Sequence, residues 1–222
     1  MEQSKVYFSD LRAPVGTNLL RKLEKLIRRA GIGDIDMEKK LVAVKLHFGE
    51  PGNLTYLRPN YAKVVADVVK SLGGVPFLTD CNTLYPGRRK NALEHMEAAY
   101  ENGFSPFSTG CHVIIGDGLR GTDDVEVPVE GAEYIQTAKI GRAIMDADVF
   151  ISLTHFKGHE ATGFGGAIKN IGMGCGSRRG KMEQHNAGKP LVRQSRCVGC
   201  RRCSRECGQD AISYGEDGKR CV

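Results

Sequence analysis

Between Leu41 and Phe156 short apolar runs alternate with longer amphipathic ones, and this alternation restricts the possible fold more than any other feature of the chain. "LVAVKLH" (Leu41–His47), "VPFLTD" (Val75–Asp80), "HVIIGDG" (His112–Gly118) and "DVFISLTHF" (Asp148–Phe156) have the length and apolar density of buried parallel strands. Helical stretches separate them: Arg58–Gly74, Arg88–Gly103 and Lys139–Ala147. Upstream, "KVYFSD" (Lys5–Asp10) reads as a further strand. Asn18–Gly31 reads as a helix with an Asn N-cap, a Gly stop, and Leu19, Leu23, Leu26 and Ile27 on one face. "DVEVPV" (Asp124–Val129) alternates as an edge or hairpin strand does. The expectation is an α/β fold in three layers, a mostly parallel sheet with helices on both faces.

In such sheets ligands sit outside the carboxyl ends of the strands. Those ends read Ser9-Asp10, His47-Phe48-Gly49-Glu50, Thr79-Asp80-Cys81-Asn82, Gly116-Asp117-Gly118 and Thr154-His155. Glu50, Asp80 and Asp117 are candidate acid–base groups there, although polar turns are also the ordinary way to end a strand.

From Gly158 to Pro190 the text turns glycine-rich and then basic, which puts a domain boundary near Gly188–Leu191: an α/β domain over 1–190 and a small module over 191–222. "THFKGHEATGFGGAIKN" (Thr154–Asn170) contains a second candidate ligand site. His155 and His159 have metal-pair spacing but stand in what reads as a loop, where two hydrogen-bonded turn histidines are the plainer alternative. Gly163, Gly165 and Gly166 before Lys169 read as a glycine loop opening a helix. Its backbone N–H groups, with Lys157 or Lys169, suit an anion; tight packing of helix on strand is the plainer alternative. Neither a Walker A motif nor a dinucleotide fingerprint is present. Cys175 has glycines on both sides and Arg178, Arg179 and Lys181 close behind, a setting that lowers a thiol pKa, so it is a candidate reactive thiol or spare ligand. Cys81 and Cys111 read as ordinary buried thiols.

The second module is dominated by cysteine. Cys197, Cys200, Cys203 and Cys207 fall within eleven positions at C-x2-C-x2-C-x3-C spacing. Structural zinc sites bring two CxxC pairs together across a loop; this run is instead the bacterial ferredoxin spacing that wraps a [4Fe–4S] cluster. Gly208 replaces the usual proline after the fourth cysteine. "DAISYGEDGK" (Asp210–Lys219) then reads as a short hairpin. In two-cluster ferredoxins the fourth cysteine of one motif ligates the other cluster. Cys221, preceded by Arg220 as Cys197 is by Arg196, has the place of the first ligand of a second motif. The expectation is that the intact protein continues past Val222 and holds two clusters.

A ferredoxin motif behind an α/β domain with "KLHFGEPGN" and "GFGGAIKNIGMGC" resembles the iron–sulfur proteins of the domain of unknown function 362 family. The resemblance covers essentially the whole chain. It implies a module with two [4Fe–4S] clusters joined to a larger domain of unsettled activity.

Charge is uneven. Arg178–Arg205 carries nine basic residues against Glu183, a net +8 that leaves −2 for the rest of the chain. Such a stretch suits an acidic redox partner, a flavodoxin or ferredoxin. It lacks the aromatic interleaving that would stack nucleic-acid bases. No signal peptide or membrane-length apolar run is present, and eight cysteines without a secretory context point to metal or redox chemistry in the cytoplasm. Three functions follow in order: an electron-transferring iron–sulfur protein, a redox enzyme whose α/β domain binds an anionic substrate or metal near His155, His159 and Gly163–Gly166, and a nucleic-acid-binding protein with a structural metal.

Overall fold

The computed structural model describes residues 3–185, 192–205, 212–216 and 220–221, the last two by their backbone. The chain divides into two compact units, Met1–Gln184 and His185–Val222.

The first unit is built on a parallel sheet of β1 (Leu41–Lys45), β2 (Val75–Asp80), β3 (His112–Ile115) and β6 (Val149–Ser152), in the order β3-β2-β1-β6. Before it come α1 (Leu19–Arg29), and between the strands α2 (Pro59–Ser71), α3 (Ala92–Glu101) and the single turn α4 (Pro106–Thr109). An antiparallel pair, β4 (Asp124–Pro128) and β5 (Thr137–Gly141), and the turn α5 (Arg142–Met145) lead into β6. A small hairpin follows, β7 (Lys157–His159) and β8 (Gly163–Gly165), then α6 (Ala167–Gly172) and α7 (Arg178–His185).

Local chemistry explains the helix starts. Asn18 and Asn91 accept the backbone N–H of Arg21 and Glu94 and so cap α1 and α3. Pro59 opens α2, where its missing N–H has no intrahelical partner to lose. Register then sets Val44, Leu78, Val113 and Ile151 side by side on one sheet face. There they pack with Ala62, Val65 and Ala66 of α2, Ala99 of α3 and Ile27 of α1. Each fully buried Val or Leu contributes roughly 1.5–3 kcal/mol. The opposite face is thinner: Ile144 of α5 and Asn170 of α6 lie on it, while Ile114 and Phe150 stay 42% and 37% exposed. The expected α/β architecture, a parallel sheet flanked by helices, is present.

Two elements differ from expectation. Lys5–Asp10 forms no strand. Lys5–Ser9 lies along α1, lining with Lys22, Lys25, Leu26 and Arg29 an open groove of about 660 Å³, and no sheet strand offers it a ladder. Lys139–Gly141 is strand and not the start of a helix, because Ile140 pairs with Val125 and Lys139 with Glu126 before the chain turns at Gly141.

The second unit contains a short 3-10 turn at Gln194–Arg196, α8 (Arg202–Arg205), and an antiparallel pair of β9 (Ser213–Tyr214) with β10 (Arg220–Cys221). The expected hairpin is there, with its second strand beyond Lys219. Cys207 lies outside the described residues. No helix among the described residues is long and apolar enough to cross a membrane.

Candidate functional site

Four of the five polar strand ends meet in one buried network; Ser9-Asp10 takes no part. Its centre is Lys45, the last residue of β1, 2% exposed. An ammonium that deep must be paired. Lys45 Nζ lies 2.9 Å from Asp80 Oδ1, at the end of β2, and donates to Asn170 Oδ1 of α6 at 2.6 Å. Asn170 Nδ2 in turn donates to Ser152 Oγ and Thr154 Oγ1, each at 2.9 Å, at the end of β6. A side chain at Gly174 would collide with Lys45 Nζ and the Asn170 carbonyl, so glycine is required for this close approach.

On the other side of Asp80 the network reaches β3. Asp117 Oδ1 accepts both the backbone N–H and the side-chain amide of Asn82 at 2.9 Å, and Asp117 Oδ2 accepts Arg178 N–H at 2.9 Å. With its amide committed there, Asn82 turns Oδ1 toward His95 Nδ1, 3.3 Å away, which makes His95 the Nδ1–H tautomer. Arg89 Nε donates to Glu50 Oε2 at 2.5 Å. Arg89 Nη1 and His95 Nε2 both face Asp80 Oδ2, at 3.7 and 3.8 Å, and neither makes a hydrogen bond among the described residues. A polar chain thus crosses the ends of all four strands in sheet order.

Electrostatics fixes the charge states. Burial alone would raise the Asp80 carboxyl, but Lys45 beside it wins and holds it well below the usual carboxylate range. Glu50 is likewise held low: burial raises it, and Arg89 with the Arg88 N–H more than offsets that. Burial lowers His95 to about 3 and His47, which Arg89 also repels, to about 4. Asp117 is raised by burial despite the Asn82 N–H. At neutral pH Asp80 and Glu50 are therefore fixed counter-ions, and His47 and His95 are neutral. Glu50 and Asp80, expected as acid–base groups, stand here as ion-paired carboxylates.

The glycine–histidine stretch divides differently from its sequence reading. His155 packs edge-on against His47, ring centroids 5.7 Å apart. His159 Nδ1 accepts the N–H groups of Ala161 and Thr162 in its own turn, each at 3.2 Å. The two histidines thus have separate partners, and among the described residues no three His, Cys, Asp or Glu side chains gather as metal ligands. Gly163 and Gly165 belong to a strand and not to an open loop, while Gly166 does stand immediately before a helix. Lys157 and Lys169 both reach Gly165. Cys175 is buried, and burial pushes its thiol up to about 11, the opposite of the lowered value expected from the nearby cations. Cys81 and Cys111 are buried, as read.

Cys197 is half-buried, and Cys200 and Cys203 are exposed. Cys203 Sγ lies 3.5 Å from Tyr214 Oη, which also meets Ser204 Oγ at 2.8 Å, and the Arg201 guanidinium stacks 5.4 Å from the Tyr214 ring centroid. The basic stretch is split. Arg178 donates to the Thr83 carbonyl, Arg179 pairs with Asp124 at 2.6 Å and Lys181 is buried, all in the first unit. Arg193, Arg196, Arg201, Arg202 and Arg205 are exposed on the second.

The family model described as Domain of unknown function (DUF362) matches residues 42–213. The chain belongs to the DUF362 family. That match spans both the strand-end network and the four cysteines of the run, Cys197 to Cys207. No curated protein matches the sequence. Among solved structures, the lactate racemase apoprotein from Thermoanaerobacterium thermosaccharolyticum is similar to this DUF362 chain at 14% identity and a TM-score of 0.45, over 78% of this chain and 36% of that one. The DUF362 chain thus spans about a third of that protein's length, and the likeness says nothing of its own activity.

Lys45, Arg89, His95 and Asn170 had no functional place in the sequence reading. Lys45 offered one signal, a lysine closing an otherwise apolar buried strand. Arg89 and His95 sit just before and on α3, where such residues are usually solvated.

Proposed function

We propose that this DUF362 chain is an iron–sulfur protein that passes electrons, with Cys197, Cys200, Cys203, Cys207 and Cys221 as ligands of [4Fe–4S] clusters. The donor set carries the reading: C-x2-C-x2-C spacing, with Cys200 and Cys203 exposed and outside any disulfide. The backbone between Cys197 and Cys203 is left-handed at Gly199 (φ 67°) and Arg201 (φ 58°), so the chain reverses direction tightly along the run. These thiols fit the group in type and spacing. When bound, the cluster supplies one-electron chemistry. The chain's own part is to tune and present it. Exposed Arg193, Arg196, Arg201, Arg202 and Arg205 offset thiolate charge, and the Tyr214 hydroxyl stands where it donates to Cys203 sulfur; both raise the potential. The same arginines suit an acidic electron carrier such as a flavodoxin or ferredoxin. Cys200→Ala is expected to abolish iron binding at this motif, and Cys175→Ala, inside the α/β unit, to leave iron content intact. Equal iron in wild type and Cys200→Ala would sink the reading.

A second reading, an enzyme whose α/β unit takes an anionic substrate near His155, His159 and Gly163–Gly166, is favoured by one observation: Lys157 and Lys169 converge on Gly165.

A further inference from the structure

The β7–β8 hairpin has two unlike faces. Gly158 pairs with Phe164, Lys157 with Gly165 and His159 with Gly163. Strand alternation therefore puts Phe156 and Phe164 on one face, where their rings stack at 5.5 Å. Lys157 and His159 stand on the other, and their cross-strand partners are both glycine. Lys169 reaches this second face from α6. A methyl built on Gly165 would lie 3.6 Å from Lys169 Cδ and 3.7 Å from Lys157 Cε, so two lysine stems share one glycine floor.

The charge there is unbalanced. Lys22, Lys40, Lys45, Lys63, Lys90 and Lys139 are ion-paired; among the described residues Lys157 and Lys169 are not. Lys157 Nζ meets the Gly158 carbonyl at 3.4 Å. Burial, and then Lys157, hold Lys169 below the usual lysine range, against the opposing pull of Glu160. Glu160 is fully exposed and bound first by its own backbone N–H. The strand-end acids are committed elsewhere: Asp80 to Lys45, Glu50 to Arg89, Asp117 to Asn82 and Arg178. His155, beside this face, is itself depressed by burial and by Lys157 and Lys45. His159, whose Nδ1 accepts two backbone N–H groups, carries its proton on Nε2 and presents a donor. Two adjacent ammoniums, an imidazole N–H donor and a floor without side chains form a surface rich in donors, with the exposed Glu160 carboxylate at its edge.

We propose that this face binds an oxyanion, the phosphate or carboxylate group of a small substrate, between Lys157, Lys169 and the Nε2–H of His159. The glycine floor lets the anion approach the backbone, and the ammoniums supply charge-assisted hydrogen bonds. The proposal rests on the second reading of the α/β unit and is independent of the cluster, so iron content and anion binding report on separate claims.

The test is an NMR titration of the isotopically labelled full chain at neutral pH, with ionic strength held constant by sodium chloride. Inorganic phosphate and acetate are the two probes. Saturable shifts of the Gly158–Lys169 amides are expected. Saturation by phosphate assigns the site to phosphoryl groups, and saturation by acetate alone assigns it to carboxylates. Lys157→Gln and Lys169→Gln should each weaken binding about tenfold, the loss of one charged hydrogen bond. Gly165→Ala meets only ordinary contacts and has no left-handed backbone to strain, so it should weaken binding while leaving the melting midpoint unchanged. Lys63→Gln, which removes an exposed pair with Asp67 on α2, should leave binding unchanged. Shifts that do not saturate with either probe, or that persist undiminished in Lys157→Gln and Lys169→Gln, overturn the proposal.

Discussion

The strand-end network and the cysteine run are both collections of reactive side chains, yet they are assembled in opposite ways. The network draws Lys45, Asp80, Asp117 and Asn170 from four separated segments and buries the first three. The run takes Cys197, Cys200 and Cys203 from seven consecutive positions and leaves two of the three exposed. The first depends on the fold; the second, on the reading proposed above, depends on the cluster it would bind. Removing a member should therefore unfold one region and merely empty the other.

The largest effect is expected from Lys45→Met. It strips Asp80 of its closest cation at a position 5% exposed, and breaking a buried pair costs about 3–5 kcal/mol. Cys200→Ala, at an exposed site, should stay within about 0.5 kcal/mol of the parent when both are compared free of metal in the same denaturant titration. If Lys45→Met costs less than about 1 kcal/mol, the network is not under the desolvation stress described.

Acid should act on the network next. His47 and His95 fall from their unfolded value near 6.5 to about 4 and about 3. The unfolded chain then binds protons that the folded one refuses, so stability present above pH ~6.5 drains away as pH falls toward those folded values, by roughly 3–5 kcal/mol for the fully buried His95 and less for the half-buried His47. Asp80 and Glu50, both depressed, add losses at lower pH as their folded carboxylates protonate. Asp117, raised by burial, works in the other direction. His95→Gln should flatten the slope of unfolding free energy against pH between about 6.5 and 4; an unchanged slope would show that His95 is not held neutral.

Smaller still is Gly174→Ala. Its methyl has backbone on one side and Lys45 on the other, and overpacking of this kind costs about 1–3 kcal/mol. A neutral result by thermal melting would mean that α6 can shift away from β1 freely. The smallest expected effect lies on the second unit. Changing Arg201, Arg202 and Arg205 together to Gln should slow reduction by an acidic carrier a few-fold at low salt. The difference should vanish at high salt, where screening falls within a Debye length of ~8 Å or less. Stopped-flow rates that do not depend on salt would remove the docking role.

The same contrast explains what the sequence disclosed. Contiguous signals survive in one dimension: the strand runs of β1, β2, β3 and β6, the Asn cap of α1, and the cysteine spacing. Strand ends were also legible as a class, since Asp80, Glu50 and Asp117 do converge. Their roles were not, because those depend on Lys45, Arg89 and His95, whose partners are distant in sequence. Lys5–Asp10 has the composition of a strand but no partner, and β propensity records fitness for a half-buried surface and not the existence of one. The hairpin at Lys157–Gly165 was hidden by its glycines, which read as loop until pairing sets them opposite Lys157 and His159.

The central claim, that the cysteine run holds an iron–sulfur cluster, is tested most directly by metal and sulfide analysis of protein produced and purified without oxygen. The account predicts brown protein with iron and acid-labile sulfide in about equal amounts, neither of them displaced by added zinc. Colourless protein carrying stoichiometric zinc and no sulfide would contradict it.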